Sequence, residues 1–145
     1  MSENMRNNNA GDEFEIDFCA KYGAKRMPVG FEGYDAVLPN GSTAELKSFR
    51  GSHPSVGGPK LIATERNIRT IVTAYMALAD YLVIERHNRT ELWLTKAEAI
   101  EHLMLHVALT SESHGRSGGK PKLRLMKTPR TAEATAKLLA AGFTL

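Results

Sequence analysis

Apolar residues recur at helical spacing near the start of the chain. Phe14, Phe18 and Tyr22 fall in line with Gly11 on one face, and Gly23 follows as a stop, so a helix is expected from near Asn9. Glu15 lies on the inward flank of that face, whereas Asp12, Glu13 and Asp17 point elsewhere. A carboxylate at the margin of a buried face is costly unless it is paired or metal-bound.

The period then changes. Residues 34–38 and 43–49 read as two short strands joined by Pro39-Asn40-Gly41. Proline suits the first central position of a type I turn, Asn tolerates the second, and Gly takes the left-handed position that ends a three-residue hairpin loop. That loop places Leu38 opposite Ser42 and, counting back, Asp35 opposite Glu45. A two-residue Asn-Gly loop would shift the register by one and send the carboxylates to opposite faces.

Residues 50–60, with three glycines and two prolines, read as a loop. A helix is expected over 64–79, with Ile68, Ile71, Val72, Tyr75 and Ala79 inward and Arg66, Arg69, Thr70 and Thr73 polar. A hairpin of strands 81–86 and 90–94 follows across His87-Asn88-Arg89, with Trp93 assigned to the core. Thr95 and Glu98 form a capping box for a helix carrying Ile100, Leu103, Met104 and Val107. Residues 111–119 read as a polar loop, 122–126 as an edge strand, and an alanine-rich helix ends at Gly142. The expected organisation is a disordered N-terminus over residues 1–9 and a single domain over 10–145. The fold class is α/β, a central mixed β-sheet flanked by helices.

Composition narrows the class. The 145 residues are 42% hydrophobic and 24% charged, an ordinary globular balance. One cysteine makes no internal disulfide, which suggests a reducing, cytoplasmic setting. The start lacks the apolar core of a signal peptide, and the longest apolar stretch, 74–84, is too short to span a bilayer, so no membrane association is expected. The formal charge of +3 hides an asymmetry: residues 1–46 hold 4 basic and 8 acidic side chains, and residues 47–145 hold 15 basic and 8 acidic. Arg116, Lys120, Lys122, Arg124, Lys127 and Arg130 follow one another with no acid between them. An acidic cluster beside a basic surface suits a metal-dependent enzyme acting on a polyanion, although a basic face can also be merely solubilising.

Asp35, Glu45 and Lys47 are the sharpest constellation. Glu45 and Lys47 share a strand face. Two carboxylates, a backbone carbonyl and waters make an oxygen site for Mg²⁺, and a nearby ammonium can stabilise charge on a phosphate or help activate water. The stretch from Gly33 to Ser48, with Asp35, nine intervening residues and Glu45-Leu46-Lys47, resembles the active-site hairpin of PD-(D/E)XK endonucleases. Gly11, Phe14 and Glu15 are similar to the helix that precedes it in that superfamily. Tyr34 stands where a proline is usual. Within the superfamily, Asp-Ala-Val…Glu-Leu-Lys-Ser is most similar to the PvuII-type restriction endonucleases, which are homodimers that cut palindromic duplex DNA.

The resemblance implies a restriction-endonuclease-like core and a division of labour. Asp35, Glu45 and the carbonyl of Leu46 would hold Mg²⁺, which Mn²⁺ can replace. Lys47 would assist the attacking water, and Glu15 would support that metal or a second one. Arg50 and Lys60 would hold phosphates, Ser52, His53 and Ser55 would reach base edges, and Arg66, Arg69, Lys120, Lys122 and Arg124 would add phosphate contacts. The implied function is a metal-dependent DNA endonuclease, a phosphodiester hydrolase acting as a homodimer. A Holliday junction resolvase and a non-catalytic DNA-binding protein on the same scaffold are the alternatives. Other groups carry less. His102 and His106, one turn beyond Glu98, lack a third convergent ligand. Cys19 has no histidine near it and reads as packing. Gly57-Gly58-Pro59-Lys60 lacks the spacing of a phosphate-binding loop.

Overall fold

The computed structural model describes residues 10–28, 30–51, 53–57, 64–110 and 122–145. The expectations for residues 1–9 and 111–119 lie outside them. The described residues form a mixed α/β structure with four helices, a five-stranded mixed sheet and a three-stranded antiparallel sheet. The chain divides into two compact units, one drawn from Met1–Ser52 and Met76–Ala99, the other from His53–Tyr75 and Ile100–Leu145. Among the described residues no helix is long and apolar enough to cross a membrane.

In the first unit, helix α1 (Ala10–Tyr22) buries Phe14 and Phe18, one turn apart as the apolar spacing requires. After Gly23 the Ala24 N–H returns to the Cys19 carbonyl at 3.0 Å, satisfying one of the carbonyls a helix end leaves open. The sheet runs in the order β1 (Lys25–Arg26), β2 (Ala36–Val37), β3 (Thr43–Ser48), β5 (Tyr81–Glu85) and β6 (Glu91–Thr95). The first three strands are antiparallel neighbours, β5 joins β3 in parallel, and β6 turns back antiparallel. Ala36, Ala44, Leu46 and Val83 close the core against Phe14 and Phe18, with Cys19 packed at its margin. Trp93 departs from its expected core place. Its ring lies 5.4–5.8 Å from those of Phe18, Tyr22 and Tyr81, yet it remains 37% exposed, because β6 is the outermost strand.

The second unit holds β4 (Ser55–Val56), helix α2 (Ile68–Tyr75), β7 (Val107–Leu109), β8 (Leu123–Leu125) and helix α4 (Ala132–Ala140), with helix α3 (Lys96–His106) contributing from Ile100 onward. Three expectations are corrected here. Helix α2 is shorter than 64–79 at both ends: Asn67 caps its start, and residues 76–78 leave it as a turn. The Asn67 side chain accepts the Thr70 N–H at 2.9 Å, and its backbone pairs in parallel with Thr144 instead of turning. The 122–126 segment is the middle strand of its sheet, not an edge, since β4, inside the expected 50–60 loop, flanks it opposite β7. Val107 opens β7 instead of extending α3. The capping box forms as expected: Thr95 N–H donates to Glu98 at 2.9 Å, and Glu98 N–H to the Thr95 hydroxyl at 3.3 Å.

The β5–β6 hairpin turns through three residues, and the third, Arg89, has φ 72°. Left-handed backbone costs an L-residue roughly 1–2 kcal/mol, part of which glycine returns through its freer unfolded chain. Arg89→Gly is therefore expected to stabilise the protein by about 0.5–1 kcal/mol. A higher urea midpoint at unchanged slope is the measurement, and a lower midpoint contradicts it.

Candidate active site

The β2–β3 hairpin has the register that its turn chemistry dictates. Ala36 pairs with Ala44 and Val37 with Thr43, the Leu38 N–H bonds the Ser42 carbonyl at 2.7 Å, and Gly41 sits at φ 89°. The paired ladder ends at Ala36 and Ala44, one step short of the expected Asp35–Glu45 pair, which does not form. The Asp35 N–H also reaches the Ala44 carbonyl at 2.9 Å, so two residues of one strand meet one of the other, the count of a β-bulge. Its carboxylate then takes over the ladder: Oδ2 accepts the Leu46 N–H at 2.8 Å, where a strand carbonyl would otherwise sit. Gly33, two residues before Asp35, packs against Leu78. It has φ 123°, and a Cβ there would stand 2.9 Å from the Leu78 side chain.

Asp35 also faces a cavity of about 170 Å³, walled by Asp12, Glu15, Arg26, Phe31 and Tyr34 among others. Arg26, on β1, spans two carboxylates of α1. Its Nε donates to Glu15 at 2.9 Å and its Nη2 to Asp12 at 2.8 Å. Burial, and then the charge of Asp35, push the Glu15 carboxyl above its ordinary value, and the Arg26 hydrogen bond pulls against them. Phe31 is exposed and meets the Tyr34 ring edge-on with centroids 4.9 Å apart. Neither Phe31 nor Arg26 stood out in the sequence, because a lone aromatic in a glycine-rich loop and a lone arginine carry no periodic signal.

The four expected catalytic residues divide into two pairs. Glu15 and Asp35 share the cavity. Glu45 and Lys47 do not line it; they alternate with the core residues Ala44 and Leu46 and so project from the other face of β3. Glu45 is 9% exposed. The Asp35–Leu46 hydrogen bond joins the pairs, because Leu46 lies between Glu45 and Lys47. The Leu46 N–H is turned to the β2 side, and in a strand the C=O of the same residue leaves by the same edge.

Arg50, expected to hold a phosphate, is engaged within the chain. Its guanidinium forks onto Glu85 at 2.7 and 3.0 Å, meets Asp17 at 2.8 Å and is 9% exposed, while Ser48 donates to the same Glu85 at 2.7 Å. These partners hold its basicity above normal despite its burial. These contacts carry no local sequence signal, because the partners lie 33 and 35 residues away.

In the second unit, β8 carries Arg124 opposite Ser55. His53 lies near Arg124 and Lys127; burial first, then the charges of those two side chains, lower its basicity. Lys122 and Lys127 are exposed, and the buried Nε of Arg124 has no hydrogen-bond partner among the described residues. Arg69 is exposed but paired with Glu101 at 2.8 Å, and Arg66 stacks over Phe143 at 5.0 Å. Arg130 is structural, donating to the Val107 carbonyl at 2.7 Å and to Thr135 at 3.0 Å. Ser52, Lys60, Arg116 and Lys120 lie outside the described residues.

His102 and His106 stack with centroids 3.9 Å apart, and His106 Nδ1 lies 2.8 Å from the His102 carbonyl. Among the described residues no group of three or more His, Cys, Asp or Glu side chains is arranged to hold a metal ion. The Cys19 thiol is pushed up by burial and then by Glu15, which suits its packing place and not a nucleophile. No protein-family model matches the chain, and no curated protein matches it.

Removing one partner of a buried ion pair strands the other charge and typically costs about 3–5 kcal/mol. Arg50→Ala is expected to lose stability on that scale in urea titration. Unchanged stability, with a weaker salt dependence of polyanion binding, would return Arg50 to the phosphate-contacting set.

Proposed function

We propose that the chain is a Mg²⁺-dependent endodeoxyribonuclease with a restriction-endonuclease-like core, hydrolysing phosphodiester bonds of duplex DNA as a homodimer. The observation that carries this reading is the end of the β2–β3 ladder, where the Asp35 carboxylate accepts the N–H of Leu46, the residue between Glu45 and Lys47. A helix bearing Glu15 before the hairpin, and a parallel strand after it, agree with such a core.

The donor set suits Mg²⁺. Oδ2 of Asp35 is committed to Leu46, which leaves Oδ1 as a donor of fixed direction. Leu46 would add a carbonyl from the same strand edge, and Glu45, on the far face of β3, would add a second carboxylate only by reaching around that edge. Mg²⁺ keeps several waters and needs only one or two carboxylates, so the lack of a three-side-chain cluster among the described residues is compatible with it. When bound, the ion would lower the pKa of a water and stabilise charge on the phosphoryl oxygens. Leu46 orients Asp35 through its N–H. Lys47, on the same strand face as Glu45, brings a positive charge to the phosphate or to the attacking water. Exposed Lys122 and Lys127, with Arg124, provide the cationic surface that a polyanion needs, and His53 lies beside them. Two copies, each cutting one strand, account for double-strand cleavage by so short a chain.

Purified protein is expected to cut plasmid DNA with Mg²⁺ or Mn²⁺ and to be inactive in EDTA. Several kcal/mol of charge stabilisation correspond to about a thousandfold in rate, the loss expected for Asp35→Ala or Glu45→Ala with the fold retained. Full activity in either variant overturns the assignment. Recurrent palindromic ends support cleavage of a specific duplex site, whereas paired cuts confined to four-way junctions would establish a resolvase. Tight binding without cutting would leave a non-catalytic DNA-binding protein.

Binding gives a separate check. Neutralising Lys122, Arg124 and Lys127 together is expected to lower the slope of log affinity against log salt by roughly 0.9 for each phosphate that these side chains no longer neutralise. An unchanged slope would show that this surface faces away from the nucleic acid.

A further inference from the structure

Arg124 is held unlike Arg26, Arg50 and Arg130. Arg26 and Arg50 meet carboxylates, and Arg130 donates to a carbonyl and a hydroxyl. Arg124 is partly buried, its Nε is enclosed without a hydrogen-bond partner, and no acid pairs with its guanidinium among the described residues. Enclosing a donor of a charged group without a partner costs free energy, so its retention needs a reason.

The surroundings supply one. The three-stranded sheet has two unlike faces, because side chains alternate along each strand. Val56, Leu123, Leu125 and Val107 are buried on one face. Ser55, Arg124 and Ala108 form a row across the other, and exposed Lys122 shares that face of β8. The Leu125 N–H donates to the Pro54 carbonyl at 2.8 Å, which carries the β4–β8 pairing one residue past Ser55. His53, two residues before Ser55, therefore comes out on the Arg124 side, and exposed Lys127 lies just beyond. The charges of Arg124 and Lys127 reach His53 and, after burial, lower its basicity.

We propose that this face of the sheet is an oxyanion site, in which the Arg124 guanidinium, the Ser55 hydroxyl and the Lys127 ammonium hold one tetrahedral phosphoryl group. A guanidinium fork matches two phosphoryl oxygens, and partial burial strengthens the attraction. The group is either free phosphate or one phosphate of a nucleic-acid backbone. The second source rests on the nuclease reading above, whereas affinity for the phosphoryl group itself does not.

The Nε–H resonance of Arg124, assigned through its side-chain carbons, reports the site in the native full chain, since enclosure slows its exchange with water. Inorganic phosphate, and separately a short DNA duplex in EDTA, are titrated in, with sodium chloride at matched ionic strength as the reference. Phosphate is expected to shift this resonance to saturation and to raise the midpoint of the His53 titration, each beyond the effect of chloride. Arg124→Lys loses the fork and is expected to weaken phosphate binding, read through His53, about tenfold, the worth of one charge-assisted hydrogen bond. A response to phosphate alone assigns the free anion, and a response to duplex alone assigns a backbone phosphate. A resonance unmoved by either, or moved equally by chloride, overturns the inference with no variant needed. Undiminished affinity in folded Arg124→Lys overturns it as well. Duplex binding that leaves Arg124 unmoved overturns it while the nuclease reading stands, and phosphate binding without duplex binding does the reverse.

Discussion

The three-residue turn at Pro39-Asn40-Gly41 is the constraint from which the site follows. Gly41 takes a left-handed conformation, and this closes the hairpin with Leu38 against Ser42. A shift of one residue would turn Ala36, Ala44 and Leu46 away from Phe14 and Phe18, so the turn and the core enforce the same register. Asp35 is carried to the end of the ladder by that register. There its carboxylate replaces a strand carbonyl as the acceptor for Leu46. A side chain doing a backbone's work is held in one direction by the sheet itself, which is the preorganisation that a ligand or catalytic group requires.

Two arginines manage the acidity of α1. Arg26 neutralises Asp12 and Glu15, and Arg50 reaches Asp17 while forking onto Glu85. Buried pairs of this kind contribute modestly to net stability because desolvation offsets their attraction, but each fixes the position of an element. Arg26 ties β1 to α1, and Arg50 ties the end of β3 to β5 and α1. Arg69 and Arg130 are engaged, whereas Lys122, Arg124, Lys127 and His53 gather around β8 and the chain just before β4.

Local chemistry made much of this legible from the sequence. The helical spacing of Phe14 and Phe18, the turn residues of both hairpins, the Thr95–Glu98 capping box and the stop at Gly142 are encoded within a few residues of where they act, and the structure follows them. The register of Leu38 on Ser42 and Ala36 on Ala44 belongs with these, since one turn decides it, whereas the expected Asp35–Glu45 pair is lost to the bulge at Ala44. What failed was settled at a distance. Asn67 shortens α2 because Thr144, 77 residues away, offers it a bridge. The 122–126 segment becomes a central strand because Ser55–Val56 pairs with it. Trp93 stays partly exposed because nothing adds to the sheet beyond β6 among the described strands.

The sequence alone thus determined the secondary elements with strong local signals, the hairpin register and the chemical types gathered at the site. Only the tertiary structure decided which charges face each other. It gave Arg50 to Glu85 and Asp17, set Arg26 between Glu15 and Asp12, and separated the cavity pair Glu15 and Asp35 from Glu45 and Lys47 on the opposite strand face. The reason is physical. Turn and capping preferences act through backbone conformation and short-range hydrogen bonds, whereas an ion pair forms wherever folding brings two side chains together, and spacing along the chain carries no record of that.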